Sequence, residues 1–200
     1  MAKTSYIVGI DEVGRGALAG PVVVAAVLLP LKMTPSLQKL GRPLRDSKKL
    51  NPKAREIWFD YAKKHPQINY SIRGIRPETI DAINISQAAN RAASRAFDRL
   101  LKAKHFPSNR FKTYLDGGLF LNESFHTAAR RARTLIRGDE KINAIKLASI
   151  LAKVTRDKYM IRLHRKYPKY HFHEHKGYGT KKHIQAIKSH GPNQTHRLTF

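Results

Sequence analysis

The chain has 200 residues, 41% of them hydrophobic, with 39 Lys+Arg against 14 Asp+Glu and a formal charge of +25. Length and apolar content suit one globular domain over 1–200 and exclude a disordered basic tail. The absence of cysteine excludes disulfides and thiolate metal sites and suits a reducing, cytoplasmic compartment. Such a basic excess makes a polyanion the leading partner, with nucleic acid ahead of anionic lipid or a merely solvated surface.

The N-terminal "MAKTSYIVGID" lacks the basic-then-apolar pattern of a secretory signal. Residues 5–11 and 21–29 are apolar, β-branched runs of strand length, and the second is too short to span a bilayer, so no membrane partner is expected. Asn51-Pro52 reads as a helix start, with Ala54, Ile57, Trp58, Tyr61 and Ala62 forming one apolar face. "INYSIRGI" alternates as a strand does. Pro77 opens a longer helical region in which Ile85, Ala89, Ala92, Ala96 and Leu100 share a stripe, and Asn84 marks a break. "RFKTYLD" predicts a strand ending on Asp116, and "ARTLIRGD" predicts another ending near Asp139. From Ile142 to Tyr167 neither Gly nor Pro interrupts, which predicts a helix with Leu147, Leu151, Val154 and Ile161 on one side. "HEHKGYGTKKHIQAIKSHGP" reads as a loop and then a short helix. Strands come first and then alternate with helices, which predicts an α/β domain with a mixed sheet, expected to act as a monomer.

Acids are scarce enough to sort one by one. Glu56 and Asp60 fall on the polar side of the first helix, and Glu78, Asp81 and Glu140 fall in first turns. Asp98 and Asp157 lie beside arginines on basic helices, Glu123 and Glu174 in polar loops, and Asp46 reads as a turn or capping residue. Asp11, Glu12, Asp116 and Asp139 remain, each at or just past a predicted strand end. Asp139 also fits an N-cap of the long helix, and Asp116-Gly117-Gly118 also fits a plain turn. If their strands are neighbours, the four form an oxygen-only set suited to Mg²⁺ or Mn²⁺. Two such ions ~4 Å apart activate water and stabilise the leaving oxygen in phosphodiester hydrolysis.

Gly14-Arg15-Gly16 opens like a dinucleotide loop, but Ala19 holds the third position and a Val-rich strand follows instead of a helix. These glycines fit a close backbone approach to a ligand, or an unusual dihedral. His171, His173 and His175 alternate as on an extended segment; a structural or phosphate-facing role outweighs zinc binding in a chain without cysteine. Lys48 and Lys49 read either as solvated or as lying near a scissile phosphate.

"GIDEVGRGALAGPVVVAAV", "DSKKL", "YLDGG", "RGD" followed by "ASILAKVTRDKYM", and "YPKYHFHEHKGYGTKKH" occur in this order. The set, from Ile7 to His196, resembles type 2 ribonuclease H, the ribonuclease HII family. Val13 and Ala17 depart from the family's usual residues, as does the bulkier "EKINAIKLASI". The resemblance implies a ribonuclease H-like mixed sheet flanked by helices, with a short C-terminal helical segment. It implies divalent-metal-dependent endonuclease activity on RNA–DNA hybrids and on duplex DNA containing ribonucleotides, leaving 3′-hydroxyl and 5′-phosphate ends. The family's catalytic and metal-binding acids would be Asp11, Glu12, Asp116 and Asp139. Gly14, Arg15 and Gly16 would contact the 2′-hydroxyl, and Tyr178 would stack on a sugar. Two rivals remain: a non-catalytic basic nucleic-acid-binding protein, and a related-fold nuclease acting on DNA.

Overall fold

The structure, a computed structural model, describes residues 5–33, 43–102, 110–122, 124 and 127–200; Glu123 lies outside them. Strands β1 (Tyr6–Val13), β2 (Val22–Pro30), β3 (Asn69–Ile75), β4 (Phe111–Asp116) and β5 (Arg133–Leu135) form one sheet in the order β3-β2-β1-β4-β5. The β1–β2 and β2–β3 pairs are antiparallel, whereas β1–β4 and β4–β5 are parallel. Parallel pairing brings the C-terminal ends of β1 and β4 to one edge of the sheet. Their last paired rung is Ile10–Leu115, so Asp11 and Asp116 stand side by side just beyond it.

β1 runs further than expected. It stays paired with β2 through Asp11–Ala25, Glu12–Val24 and Val13–Val23. The carboxylates are therefore inside one ladder and past the end of the other, and the apolar run that stops at Ile10 marks only the second boundary.

Helices cover both faces, which is why β2 is apolar without alternation. Val22, Val24, Ala26 and Leu28 face α3 (Ile85–Lys102), whose predicted stripe is buried at Ala89, Ala92, Ala96 and Leu100 and partly buried at Ile85. Asn84, at φ +63°, separates α3 from α2 (Pro77–Ile83), and its Oδ1 accepts the Gln87 N–H. On the opposite face, Val23, Ala25, Val27 and Leu29 meet α1 (Pro52–Lys64) and α5 (Asn143–Lys166). Asn51 caps α1 by accepting the Ala54 N–H at 2.8 Å. Ile57, expected on the inner face of α1, is 37% exposed because Ala54, Trp58 and Ala62 suffice to fill the contact. Gly9 lets α5 lie directly on β1: a Cβ there would stand 2.3 Å from backbone atoms of Ala144 and Ile145.

Two further expectations are corrected. The strand expected over 132–139 stops at Leu135, Arg137 turns left-handed, and Asp139 lies in the short helix α4 (Gly138–Lys141). Three residues suffice to pair β5 with the end of β4, after which the chain must turn to reach α5. The stripe on α5 also changes partner: Leu147, Leu151 and Val154 face the sheet, but Ile161 is 39% exposed. Beyond the sheet edge α5 uses Met160 and Leu163 instead, packed on Tyr170, Phe172 and Ala186. Here α6 (Phe172–His175) and α7 (Lys181–His190) form the C-terminal helical segment, so the extended run of histidines is in fact a helical turn.

Candidate active site

Strand alternation decides where the two adjacent acids point. Val8 and Ile10 face α3, so Asp11 faces α5 and Glu12 turns back to the α3 side. Asp11 is 4% exposed, accepts the Glu12 N–H at 2.7 Å and hydrogen-bonds with Ser149 of α5, whose Oγ lies 2.8 Å from that of Ser47. Asp116 Oδ1 accepts N–H bonds from Gly138 at 2.6 Å and Asp139 at 3.3 Å, which ties the end of β4 to α4. At this junction a Cβ on Gly138 would meet Ile145 Cδ1 at 2.6 Å and Asp116 Oδ1 at 3.2 Å.

Asp11, Asp116 and Asp139 each present an oxygen within 4.8 Å of the others, and no other such group of acids and histidines occurs among the described residues. Burial pushes the Asp11 carboxyl well above its ordinary range, and the charges of Glu12 and Asp116 push it the same way. Asp139 is raised by burial and then by Asp116, and among the described residues only Lys48 Nζ, at 3.9 Å, offers it a cation. Asp46 acts as the capping residue expected, accepting the Lys48 N–H. Glu12 is raised by burial despite Arg15 Nη1 at 3.5 Å, and its Oε2 is buried without a partner among the described residues. Three mutually repelling, oxygen-only ligands with one distant lysine fit a hard divalent cation, and the unpartnered Glu12 oxygen fits a ligand beside it.

Asp11, Glu12 and Asp116 line a cavity of 320 Å³ that also holds Ser47, Lys48, Ser149 and Tyr178. A larger hollow of 450 Å³, lined by Phe120, Arg130 and Thr134 among others, has no carboxylate among its described lining residues. The Gly14-Arg15-Gly16 loop follows β1 directly. Gly14 adopts φ +89°, where a Cβ would strike Arg156 Nε at 2.2 Å, whereas a Cβ on Gly16 would meet nothing within 4 Å. Tyr178 bridges to Ala17, and its ring centroid lies 5.2 Å from the Arg156 guanidinium.

The histidine set divides. His175 is buried, with Nε2 2.8 Å from the Tyr170 carbonyl and Nδ1 accepting the Gly177 N–H, which is a structural role. His171 and His173 stay near the surface beside His164 and Glu174. Sequence reasoning missed Ser47 and Ser149, and it missed two buried arginines, Arg156 and Arg197, concealed among 39 basic residues.

Sequence similarity points to one family. The family model described as Ribonuclease HII matches residues 8–200. A ribonuclease HII from Endomicrobium trichonymphae is 46% identical over 194 residues, which is 97% of this chain and 84% of that protein. The crystal structure of ribonuclease H2 from Pyrococcus horikoshii OT3 is similar with TM-score 0.76 at 24% identity, covering 98% of this chain and 93% of that one. Bst-RNase HIII, solved in complex with Mn²⁺, has TM-score 0.75 at 20% identity, covering 99% and 68%. The last two likenesses establish the fold.

Proposed function

The chain belongs to the ribonuclease HII family and is thus a ribonuclease H, an endonucleolytic phosphodiester hydrolase; on that premise we propose that it cuts RNA in RNA–DNA hybrids and also cuts 5′ of single ribonucleotides in duplex DNA, leaving 3′-hydroxyl and 5′-phosphate ends. The observation that carries this reading is that Asp11, Glu12, Asp116 and Tyr178 line one cavity. Chemistry at the acids is then coupled to the sugar that the tyrosine meets.

Asp11, Asp116 and Asp139 would hold Mg²⁺ or Mn²⁺, with Glu12 serving a second ion from the α3 side of the sheet. When bound, such ions supply Lewis acidity for an attacking water and for the leaving oxygen. The chain's own residues do the rest. Asp116 fixes the Asp139 backbone, Ser149 orients Asp11, and Lys48 meets a phosphate oxygen at the cavity edge. Backbone groups of Gly14-Arg15-Gly16 would bond the 2′-hydroxyl, the only group by which one ribonucleotide differs from the DNA around it. The Tyr178 ring would pack on the next sugar, where a deoxyribose leaves room.

One gel assay tests the whole reading, using a continuous hybrid, a duplex with one ribonucleotide and an all-DNA duplex, each with Mg²⁺, Mn²⁺ or EDTA. Ion-dependent cleavage of the first two, with the single cut 5′ of the ribonucleotide, is expected. An intact single-ribonucleotide duplex, or equal cleavage of the all-DNA control, refutes it.

A further inference from the structure

Arg156 and Arg197 are buried cations without acidic partners: among the described residues neither forms an ion pair, and every guanidinium hydrogen bond goes to a backbone carbonyl. Arg197 Nη2 donates to Gly14 O at 2.7 Å and to Gly20 O at 2.9 Å, Nη1 donates to Arg15 O at 2.8 Å, and Nε donates to Gly20 O at 3.1 Å. Arg156 donates to Ala19, Pro21 and Lys176, and its guanidinium lies against the Tyr178 ring. Burying an unpaired guanidinium costs several kcal/mol. What it secures here is a fixed orientation of the peptides in one loop.

That orientation has a direct consequence. In a trans peptide the carbonyl and the following N–H point in opposite directions. Arg197 turns the carbonyls of Gly14 and Arg15 inward, so the N–H groups of Arg15 and Gly16 point outward. Among the described residues neither N–H has a hydrogen-bond partner. The space around Gly16 is open enough for a ligand to reach them. The fork comes from the last residues of the chain, which are fastened in turn to α2: Asp81 accepts Leu198 N–H, Thr199 N–H and Thr199 Oγ1 at 2.9, 3.1 and 2.7 Å.

We infer that Arg197 is a positioning residue for ribonucleotide recognition, aiming the Arg15 and Gly16 N–H donors, and that the 195–199 segment with Asp81 belongs to the recognition apparatus. This rests on the proposed reading of the 2′-hydroxyl by that loop. A lysine keeps the charge but cannot span three carbonyls with a planar fork.

The test compares kcat/KM on a single-ribonucleotide duplex and on a continuous hybrid for wild type, Arg197→Lys and Asp81→Ala, with near-UV circular dichroism as a check on folding. Loss of aimed donors should lower the ratio of single-ribonucleotide to hybrid cleavage by about tenfold in Arg197→Lys. It should move the ratio the same way, by a smaller factor, in Asp81→Ala, which leaves Arg197 itself intact. A merely structural role would lower both substrates equally. If Arg197→Lys fails to fold, the Asp81→Ala ratio decides. An unchanged ratio in folded variants, with wild type still requiring the ribonucleotide, overturns the positioning role alone. A wild type indifferent to the ribonucleotide overturns the 2′-hydroxyl reading itself.

Discussion

Asp11 is held where a carboxylate is least stable: buried, beside Asp116 and Asp139, with its pKa raised first by desolvation and then by Glu12 and Asp116. An acid whose pKa is raised on folding destabilises the fold increasingly as pH rises from its unfolded value toward its folded one, so at neutral pH the metal-free protein carries a penalty at Asp11. Asp11→Asn keeps the shape and the acceptor for the Glu12 N–H but removes the charge. In EDTA at pH 7 the variant should melt a few degrees above wild type, and added Mg²⁺ should raise wild type but not the variant. Cleavage should fall by roughly 10³-fold, about 4 kcal/mol of transition-state stabilisation. Asp116→Asn and Asp139→Asn should be comparably severe. A variant that melts below wild type in EDTA, or one that cleaves at the wild-type rate, contradicts this account. At the sugar, Tyr178→Ala should impair the single-ribonucleotide substrate more than the hybrid, and equal losses in a steady-state assay of both would assign the ring a structural role.

At the scale of elements, β1 and α5 press against each other through Gly9. A Cβ at 2.3 Å from two backbone atoms cannot be absorbed by a side-chain rotation, so Gly9→Ala should cost ~3 kcal/mol and lower Tm by roughly 6–12 °C, measurable by calorimetry. The C-terminal segment carries a different sensitivity. His175 stacks on His183 at 4.3 Å, and His183 Nε2 is 3.2 Å from His196 Nε2. Burial, and then the neighbouring His183, lower the pKa of His175 to about 4. A proton on its Nδ1 would also face the Gly177 N–H that this nitrogen now accepts. The stability from neutral His175 is complete above pH 6.5 and is lost as pH falls toward 4, by on the order of 3 kcal/mol. Urea midpoints should therefore drop between pH 7 and pH 4.5, and less so in His175→Gln; parallel curves for the two proteins contradict the assignment. These elements were not equally legible in the sequence. The β-branched runs, Asn51-Pro52, Pro77 and the Asn84 break are local signals and are all found in the fold. β5 and α4 have three and four residues, too few for a period, so the turn that carries Asp139 has no pattern of its own. The convergence of Asp11, Asp116 and Asp139 depends on parallel pairing of strands a hundred residues apart, and no local pattern encodes it. Arg156 and Arg197 are invisible for the opposite reason, because one basic residue looks like another until its surroundings are known.

Over the whole molecule, charge divides into two parts with different consequences. The 39 basic residues make the average surface attractive to a polyanion, whereas three acids at one sheet edge make the reacting point repulsive to phosphate until a cation is held there. Capture and chemistry should therefore respond differently to salt. Each phosphate neutralised by Lys or Arg releases counterions, so the binding constant depends on a high power of salt concentration. With ~6–10 phosphate contacts, affinity for a hybrid duplex should fall by roughly 10³–10⁵ between 50 and 200 mM monovalent salt. Buried or partly buried pairs are screened much less than exposed charges. The tie from Asp116 to the Gly138 and Asp139 amides is of that kind, and so is the grip of Arg197 on the Gly14 and Arg15 carbonyls. The single-turnover rate at saturating substrate should accordingly change far less than affinity over the same range. Fluorescence anisotropy in Ca²⁺ or EDTA would give the binding slope, and rapid-quench cleavage in Mg²⁺ the rate. A binding constant flat across that range would remove the basic surface from duplex capture. A saturated rate that fell as steeply as affinity would place the salt-sensitive contacts in the reaction step itself.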